Sequence, residues 1–93
     1  MMVAETAEAR LKRMVMRSWR RGTKEMDLVL GPYAEAHLAE MPPEDLDIYD
    51  RLLQENDQDL MAWIMGTDQP PAWIAPLLDR VTDFARNRLT GPA

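Results

Sequence analysis

Trp19-Arg20-Arg21-Gly22-Thr23-Lys24-Glu25-Met26-Asp27 lies where one amphipathic helical pattern stops and the next starts. Upstream, Leu11, Met14, Val15 and Trp19 fall at i, i+3, i+4 and i+8, which brings them to one side of a helix and gathers Arg10, Arg13 and Arg17 on another. This spacing predicts a helix from about Thr6 to Arg20. Gly22 ends that helix or forms the joint, since glycine accepts positive φ and adds no side chain beside a neighbouring group. Thr23 is placed to cap the next helix through its hydroxyl. Downstream, Met26, Val29, Leu30, Tyr33, Ala34, Ala36 and Leu38 continue an apolar side to about Ala39. Gly31-Pro32 is expected to kink this second helix rather than break it, because the pattern persists past a residue that lacks an N–H.

Working outward, Pro42-Pro43-Glu44-Asp45 has the rigid approach and acidic first turn of a helix start, leading into Leu46, Ile48, Tyr49, Leu52 and Leu53. Asn56 is expected to stop that helix and Asp57 to cap a short one through Leu60, Met61, Trp63, Ile64 and Met65, ended by Gly66. Pro70-Pro71 opens the approach to a last helix reaching about Arg88, whose regular part Pro76 delays. No strand alternation competes. The expectation is an all-α fold, a single compact bundle of about five helices, with one domain over residues 1–93 and frayed ends at about 1–5 and 90–93.

Composition narrows the function classes. A 93-residue chain buries roughly 60 to 65% of the surface its unfolded form exposes, enough for one core. With no cysteine there is no disulfide framework, thiolate nucleophile or Cys-ligated metal. No apolar run approaches the roughly 20 residues that span a bilayer, and no signal-peptide core is present, so the expectation is a chain without a transmembrane segment that is not exported. The net charge of −5 is unevenly distributed. Residues 1–24 carry Arg10, Lys12, Arg13, Arg17, Arg20, Arg21 and Lys24 against Glu5 and Glu8, whereas between Glu25 and Asp68 the only Lys or Arg is Arg51. So acidic a body repels a nucleic-acid backbone, and no nucleic-acid partner is expected.

Catalytic sets are missing from the sequence. His37 is the single histidine and Ser18 the single serine, the latter within a predicted helix and without a general base near it in sequence. Gly22, Gly31, Gly66 and Gly91 are too scattered for a phosphate-binding loop. The chain is therefore read as a non-enzyme, with no catalytic, metal or cofactor-binding residues. Eight methionines at helical spacing are read mainly as core filling. Asp57 and Asp59 are read first as helix-start residues, with partner contact as the alternative.

The motif Arg21-Gly22-Thr23-Lys24-Glu25, its continuation Met26-Asp27-Leu28 and the later segment Leu52-Leu53-Gln54-Glu55-Asn56-Asp57-Gln58-Asp59-Leu60-Met61-Ala62-Trp63-Ile64 resemble the flavinylation factors of succinate dehydrogenase. This family includes bacterial SdhE and mitochondrial succinate dehydrogenase assembly factor 2. The resemblance covers about residues 10 to 90 and implies the same helical architecture. It also implies a partner, the flavoprotein subunit of succinate dehydrogenase or fumarate reductase, on which such factors promote covalent attachment of FAD to a histidine. FAD would then reside on the client and not be held tightly by this chain. The resemblance makes Arg21, Gly22 and Glu25 the leading partner-binding residues, with Arg20, Lys24 and Asp27 secondary.

A magnitude supports recognition over stability. As an exposed i, i+4 pair, Arg21 and Glu25 would contribute only about 0 to 1 kcal/mol, in the less favourable orientation for the helix dipole. A charged group lost from a desolvated interface costs about 2 to 5 kcal/mol. Two other classes stay open: a small acidic regulatory adaptor, antitoxin-like or cytoskeleton-binding, and a weak anionic-surface binder using the basic first helix. Under the flavinylation reading the expected location is cytoplasmic in a bacterium or the mitochondrial matrix in a eukaryote.

Overall fold

The computed structural model describes residues 5–90, and of Leu89 and Thr90 only the backbone. Five α-helices follow in order: α1 (Ala7–Ser18), α2 (Lys24–His37), α3 (Pro43–Leu52), α4 (Asp57–Met65) and α5 (Ala75–Thr90), with a 3₁₀ turn at Leu38–Glu40. No strand occurs among the described residues, so the all-α expectation holds. The expectation of frayed ends falls largely outside the described residues. Of its inner margins, Glu5 is tied to Arg13 and Thr90 still closes α5.

Local chemistry sets most boundaries. The Thr6 hydroxyl accepts from the Ala9 N–H and caps α1, and the Thr23 hydroxyl accepts from the Met26 N–H and caps α2. At α4 the cap is Asn56, whose side chain accepts from the Gln58 N–H at 2.7 Å, instead of the expected Asp57. Asp57 is displaced from that role by a longer-range partner described below. Gly66 closes α4 at φ 82°, the one positive-φ glycine among the described residues. The first helix stops at Ser18, two residues short of the predicted Arg20, and α2 tightens into the 3₁₀ turn before Ala39. Pro76 sits within the first turn of α5, where a missing N–H has no helical partner to lose.

Helix α2 runs through Gly31-Pro32 without interruption, and Gly31 is buried there. The reason is Trp19. Its indole lies over Gly31 so closely that a Cβ there would stand 2.5 Å from Cε2 and Cε3 and nearer still to Cδ2, while its ring N–H donates to Glu35 at 3.1 Å. Helix propensity alone favours alanine at this position by about 1 kcal/mol. Overpacking against a ring costs about 1 to 3 kcal/mol, so Gly31→Ala is expected to be net destabilising. Thermal melts of Gly31→Ala in the parent and in a Trp19→Ala background check this: the substitution should lower Tm in the first and raise it in the second. A stabilising effect in both would remove the packing explanation.

The core is one cluster in which α2 is central: Met26, Leu30, Tyr33 and Ala34 meet Met14 of α1, Tyr49 and Leu52 of α3, Leu60 of α4, and Leu77, Leu78 and Val81 of α5. Tyr33 joins Tyr49 in a stacked pair at 6.1 Å and Phe84 edge-on at 5.6 Å. Trp63 and Trp73 are half-buried at the margin, and the Arg51 guanidinium covers the Trp73 ring at 4.0 Å.

Helices α1 and α3 are tied by charge. Arg13 donates to both carboxylate oxygens of Asp50 and to Glu5, and Arg10 donates to Asp47 at 2.7 Å and to Asp50 at 3.3 Å. The hydrogen bonds from Arg13 hold the Asp50 carboxyl below its ordinary value against an opposing effect of burial, and Arg13 likewise lowers Glu5. A lowered folded-state pKa stabilises above the unfolded value, near 4, and that contribution is lost as pH falls through the folded value. Tm measured from pH 6 down to pH 2 should therefore fall most steeply below about pH 4, and Asp50→Asn should flatten that limb. An unchanged acid limb in Asp50→Asn would show that the cluster is not responsible.

Candidate functional site

The motif joint is pinned by its own arginine. Arg21 turns its guanidinium inward, with the side chain 8% exposed, and donates from Nε to Asp57 Oδ1 at 2.8 Å, from one terminal nitrogen to the Leu53 carbonyl and from the other to the Glu55 carbonyl at 2.6 Å. These acceptors share a physical origin. Leu53 and Glu55 offer carbonyls just beyond the C-terminus of α3, where backbone oxygens lack helical donors, and Asp57 is the first residue of α4, where negative charge suits the dipole. One planar cation thus bridges the end of α3 and the start of α4. The picture of Arg21 as an exposed i, i+4 partner of Glu25 is corrected: its ion pair is with Asp57, 36 residues away.

Asp57 also accepts from the Gly22 N–H at 2.6 Å, and a Cβ on Gly22 would stand 3.0 Å from the same carboxylate oxygen. Of the two reasons the sequence offered for glycine here, positive φ is not used, whereas the lack of a side chain lets the Gly22 backbone approach Asp57 closely. Asp27, half-buried in the first turn of α2, accepts from the Arg21 N–H at 2.6 Å. Of the six motif residues singled out in the sequence, Arg21 and Asp27 therefore build the joint, while Gly22 belongs to it and is still exposed. Arg20, Lys24 and Glu25 are exposed, and their side chains have no hydrogen bond or ion pair among the described residues.

Glu25 occupies a junction. On one side a groove of about 570 Å³ is lined by Thr23, Asp57, Gln58, Met61, Ala62, Met65 and Thr67. On the other a groove of about 450 Å³ is lined by Leu28, Val29, Met61, Ala85 and Arg88. Glu25 and Met61 border both. Leu28 and Met65 are 54% and 71% exposed, high for large apolar side chains, so not every methionine fills the core. The periodicity of α2 and α4 gave no warning of this surface, because which apolar residues stay uncovered depends on how the helices dock.

Elsewhere the chemistry is structural. Ser18 is buried, donates to the Met14 carbonyl and shares a 2.7 Å hydrogen bond with the Tyr49 hydroxyl. His37 packs on Tyr33 and Phe84 at 4.8 and 5.0 Å. No cluster of metal-ligating side chains exists among the described residues. The basic first helix is also less available than its sequence suggests, since Arg10 and Arg13 are engaged with Asp47, Asp50 and Glu5. No helix of the described residues is long and apolar enough to cross a membrane.

Comparison with known proteins assigns the chain to a family. The family described as "Flavinator of succinate dehydrogenase" matches residues 12–85. The chain is 34% identical over 89 residues to the mitochondrial succinate dehydrogenase assembly factor 2 of Yarrowia lipolytica, covering 90% of this chain and 61% of that protein. The proteins of the same name in Candida glabrata and Scheffersomyces stipitis are 33% and 42% identical, over 92% and 89% of this chain and 60% and 59% of theirs. The chain thus spans about 60% of the length of these relatives. The matched region takes in the Arg21–Asp57 clamp, the exposed Glu25 and the lining of both grooves apart from Arg88, and the chain belongs to the family of succinate dehydrogenase flavinators.

Proposed function

We propose that this chain is a flavinylation chaperone: it binds the flavoprotein subunit of succinate dehydrogenase, or of the related fumarate reductase, and promotes covalent attachment of FAD to a histidine of that subunit. The observation that carries this reading is the division of labour within the motif. Arg21 and Asp27 are consumed in a rigid joint, and that joint holds the Gly22 backbone and the Glu25 carboxylate outward between two apolar grooves. A charged group without a partner, mounted on a fixed scaffold, contributes little to the stability of its own fold and much to recognition.

The chain contributes position. The flavin and the acceptor histidine belong to the client, a reading supported by glycines too scattered in this chain for a phosphate-binding loop. By binding one arrangement of the client it keeps the two reacting groups near attack geometry and raises their effective concentration. It acts in the compartment where the flavoprotein meets FAD, the bacterial cytoplasm or the mitochondrial matrix, the latter in keeping with the names of its relatives.

The test is Glu25→Ala, which touches no hydrogen bond of the fold. Circular dichroism and Tm should be unchanged, while covalent flavin on the client, read by fluorescence in a denaturing gel, should drop roughly tenfold or more. Gly22→Arg should reduce flavinylation too, but with lowered Tm, since any side chain there presses on Asp57. The purified chain alone should retain no FAD. Normal flavinylation by a well-folded Glu25→Ala variant would reject this surface as the client-binding site.

A further inference from the structure

The geometry points to the client segment that this surface accepts: a stretch presenting one cationic side chain, Lys or Arg, flanked on both sides by apolar side chains. The inference rests on the proposed function and specifies its contact. Three observations carry it. Glu25 is an exposed carboxylate without a partner among the described residues, and it stands at the border of two grooves, so a cation reaching it is bracketed by mainly apolar lining on either hand, to which Arg88 adds the one cationic side chain of the second groove. The other carboxylate lining the first groove, Asp57, is already paired with Arg21 and does not compete for that cation. The groove walls carry Leu28 and Met65, more than half exposed, together with the shared Met61.

The arrangement suits a partner of the opposite charge. Negative charge is concentrated beyond Glu25, where Arg51 is the only Lys or Arg up to Asp68, so this acidic body attracts a basic segment at long range, and the apolar flanks then displace water around the ion pair and strengthen it. Thioether side chains in the walls adapt to differently shaped apolar groups, so the cation fixes the register of the segment and the grooves supply the buried area. Leu28, Met61 and Met65 are thereby assigned as client-binding residues beside Glu25.

The experiment is calorimetric titration of the full chain into the flavin-free flavoprotein subunit of succinate dehydrogenase at two salt concentrations. Leu28→Ser and Met65→Ser change exposed positions and should keep the parent circular dichroism while weakening Kd roughly tenfold each, the order expected of interface anchors. Met16→Ser, 53% exposed on α1 and lining neither groove, should bind as the parent does. Binding by the parent should weaken with added salt, and Glu25→Ala should lose most of that salt dependence. Glu25→Lys should abolish binding, and replacing one client Lys or Arg by Glu should restore it. If Glu25→Ala weakens binding while Leu28→Ser and Met65→Ser do not, the grooves are not the docking walls and the inference fails with the chaperone reading intact. If the parent chain does not bind the flavoprotein at all, the chaperone reading itself fails. Salt dependence equal in parent and Glu25→Ala would overturn the cationic partner.

Discussion

Arg21→Ala should lower the unfolding free energy by about 3 to 5 kcal/mol, the range for removing one partner of a buried ion pair. Four acceptor interactions meet at this site, and three depend directly on the guanidinium: Asp57 Oδ1 and the Leu53 and Glu55 carbonyls. Without it Asp57, 16% exposed, keeps only the Gly22 N–H, and two carbonyls beyond α3 lose their donor. Lysine is not a substitute, because a single ammonium cannot match the planar fork that reaches all three acceptors at once, so Arg21→Lys should recover only part of the loss. Urea denaturation of Arg21→Ala, Asp57→Ala and the double variant measures the coupling. The double variant should be less destabilised than the sum of the singles, since each single strands the partner of the other. A loss below about 1 kcal/mol for Arg21→Ala would mean that water screens the clamp as it screens a surface pair. The consequence for function is specific: an Arg21 variant that fails in flavinylation does so through a loosened joint, whereas a Glu25 variant fails with its fold intact.

Tyr49→Ala should cost a further 3 to 5 kcal/mol, roughly the loss on truncating a buried aromatic side chain. Tyr49 is fully buried at the meeting of α1, α2 and α3, stacked with Tyr33 and hydrogen-bonded through its hydroxyl to Ser18 and, at 3.4 Å, to the Leu30 carbonyl. Tyr49→Phe isolates the polar part and should cost only about 1 kcal/mol, because Ser18 retains the Met14 carbonyl as acceptor. Burial pushes the Tyr49 hydroxyl well above its ordinary value, with the Ser18 hydrogen bond opposing, and burial raises Tyr33 in the same direction. For a raised folded-state value the stabilisation is complete below the unfolded pKa, near 10, and is lost as pH rises toward the folded value. Tm should therefore decline above about pH 10, and Tyr49→Phe should shrink that decline while Tyr33 leaves a residue of it. Equal alkaline limbs in parent and Tyr49→Phe would exclude Tyr49 as the group responsible.

Local chemistry explains why the five helices were legible in the sequence. Apolar spacing, Thr23 as a cap, Pro43 at a helix start and Gly66 at a helix end all act within about one turn, and each falls where the sequence places it. The same locality misassigned the cap of α4. Asn56 and Asp57 are both good caps, and the choice between them was made by Arg21, which takes the Asp57 carboxylate for the clamp. The motif likewise named a site, but not the work of its members. An i, i+4 spacing makes Arg21 and Glu25 look like a pair, yet the helix that would align them does not include Arg21, because α1 has ended at Ser18 and α2 begins at Lys24.

What the sequence by itself determined is the all-α fold, the approximate positions of its helices and the family. What only the tertiary structure decided is which charges are spent and which are available. Arg21 with Asp57, Arg13 with Asp50 and Gly31 beneath Trp19 join residues 36, 37 and 12 positions apart, and Glu25 between its two grooves is left over by those choices. The physical reason is range: helix signals are set by neighbours within a turn, whereas the burial and pairing of a side chain are set by whichever distant surface docks against it.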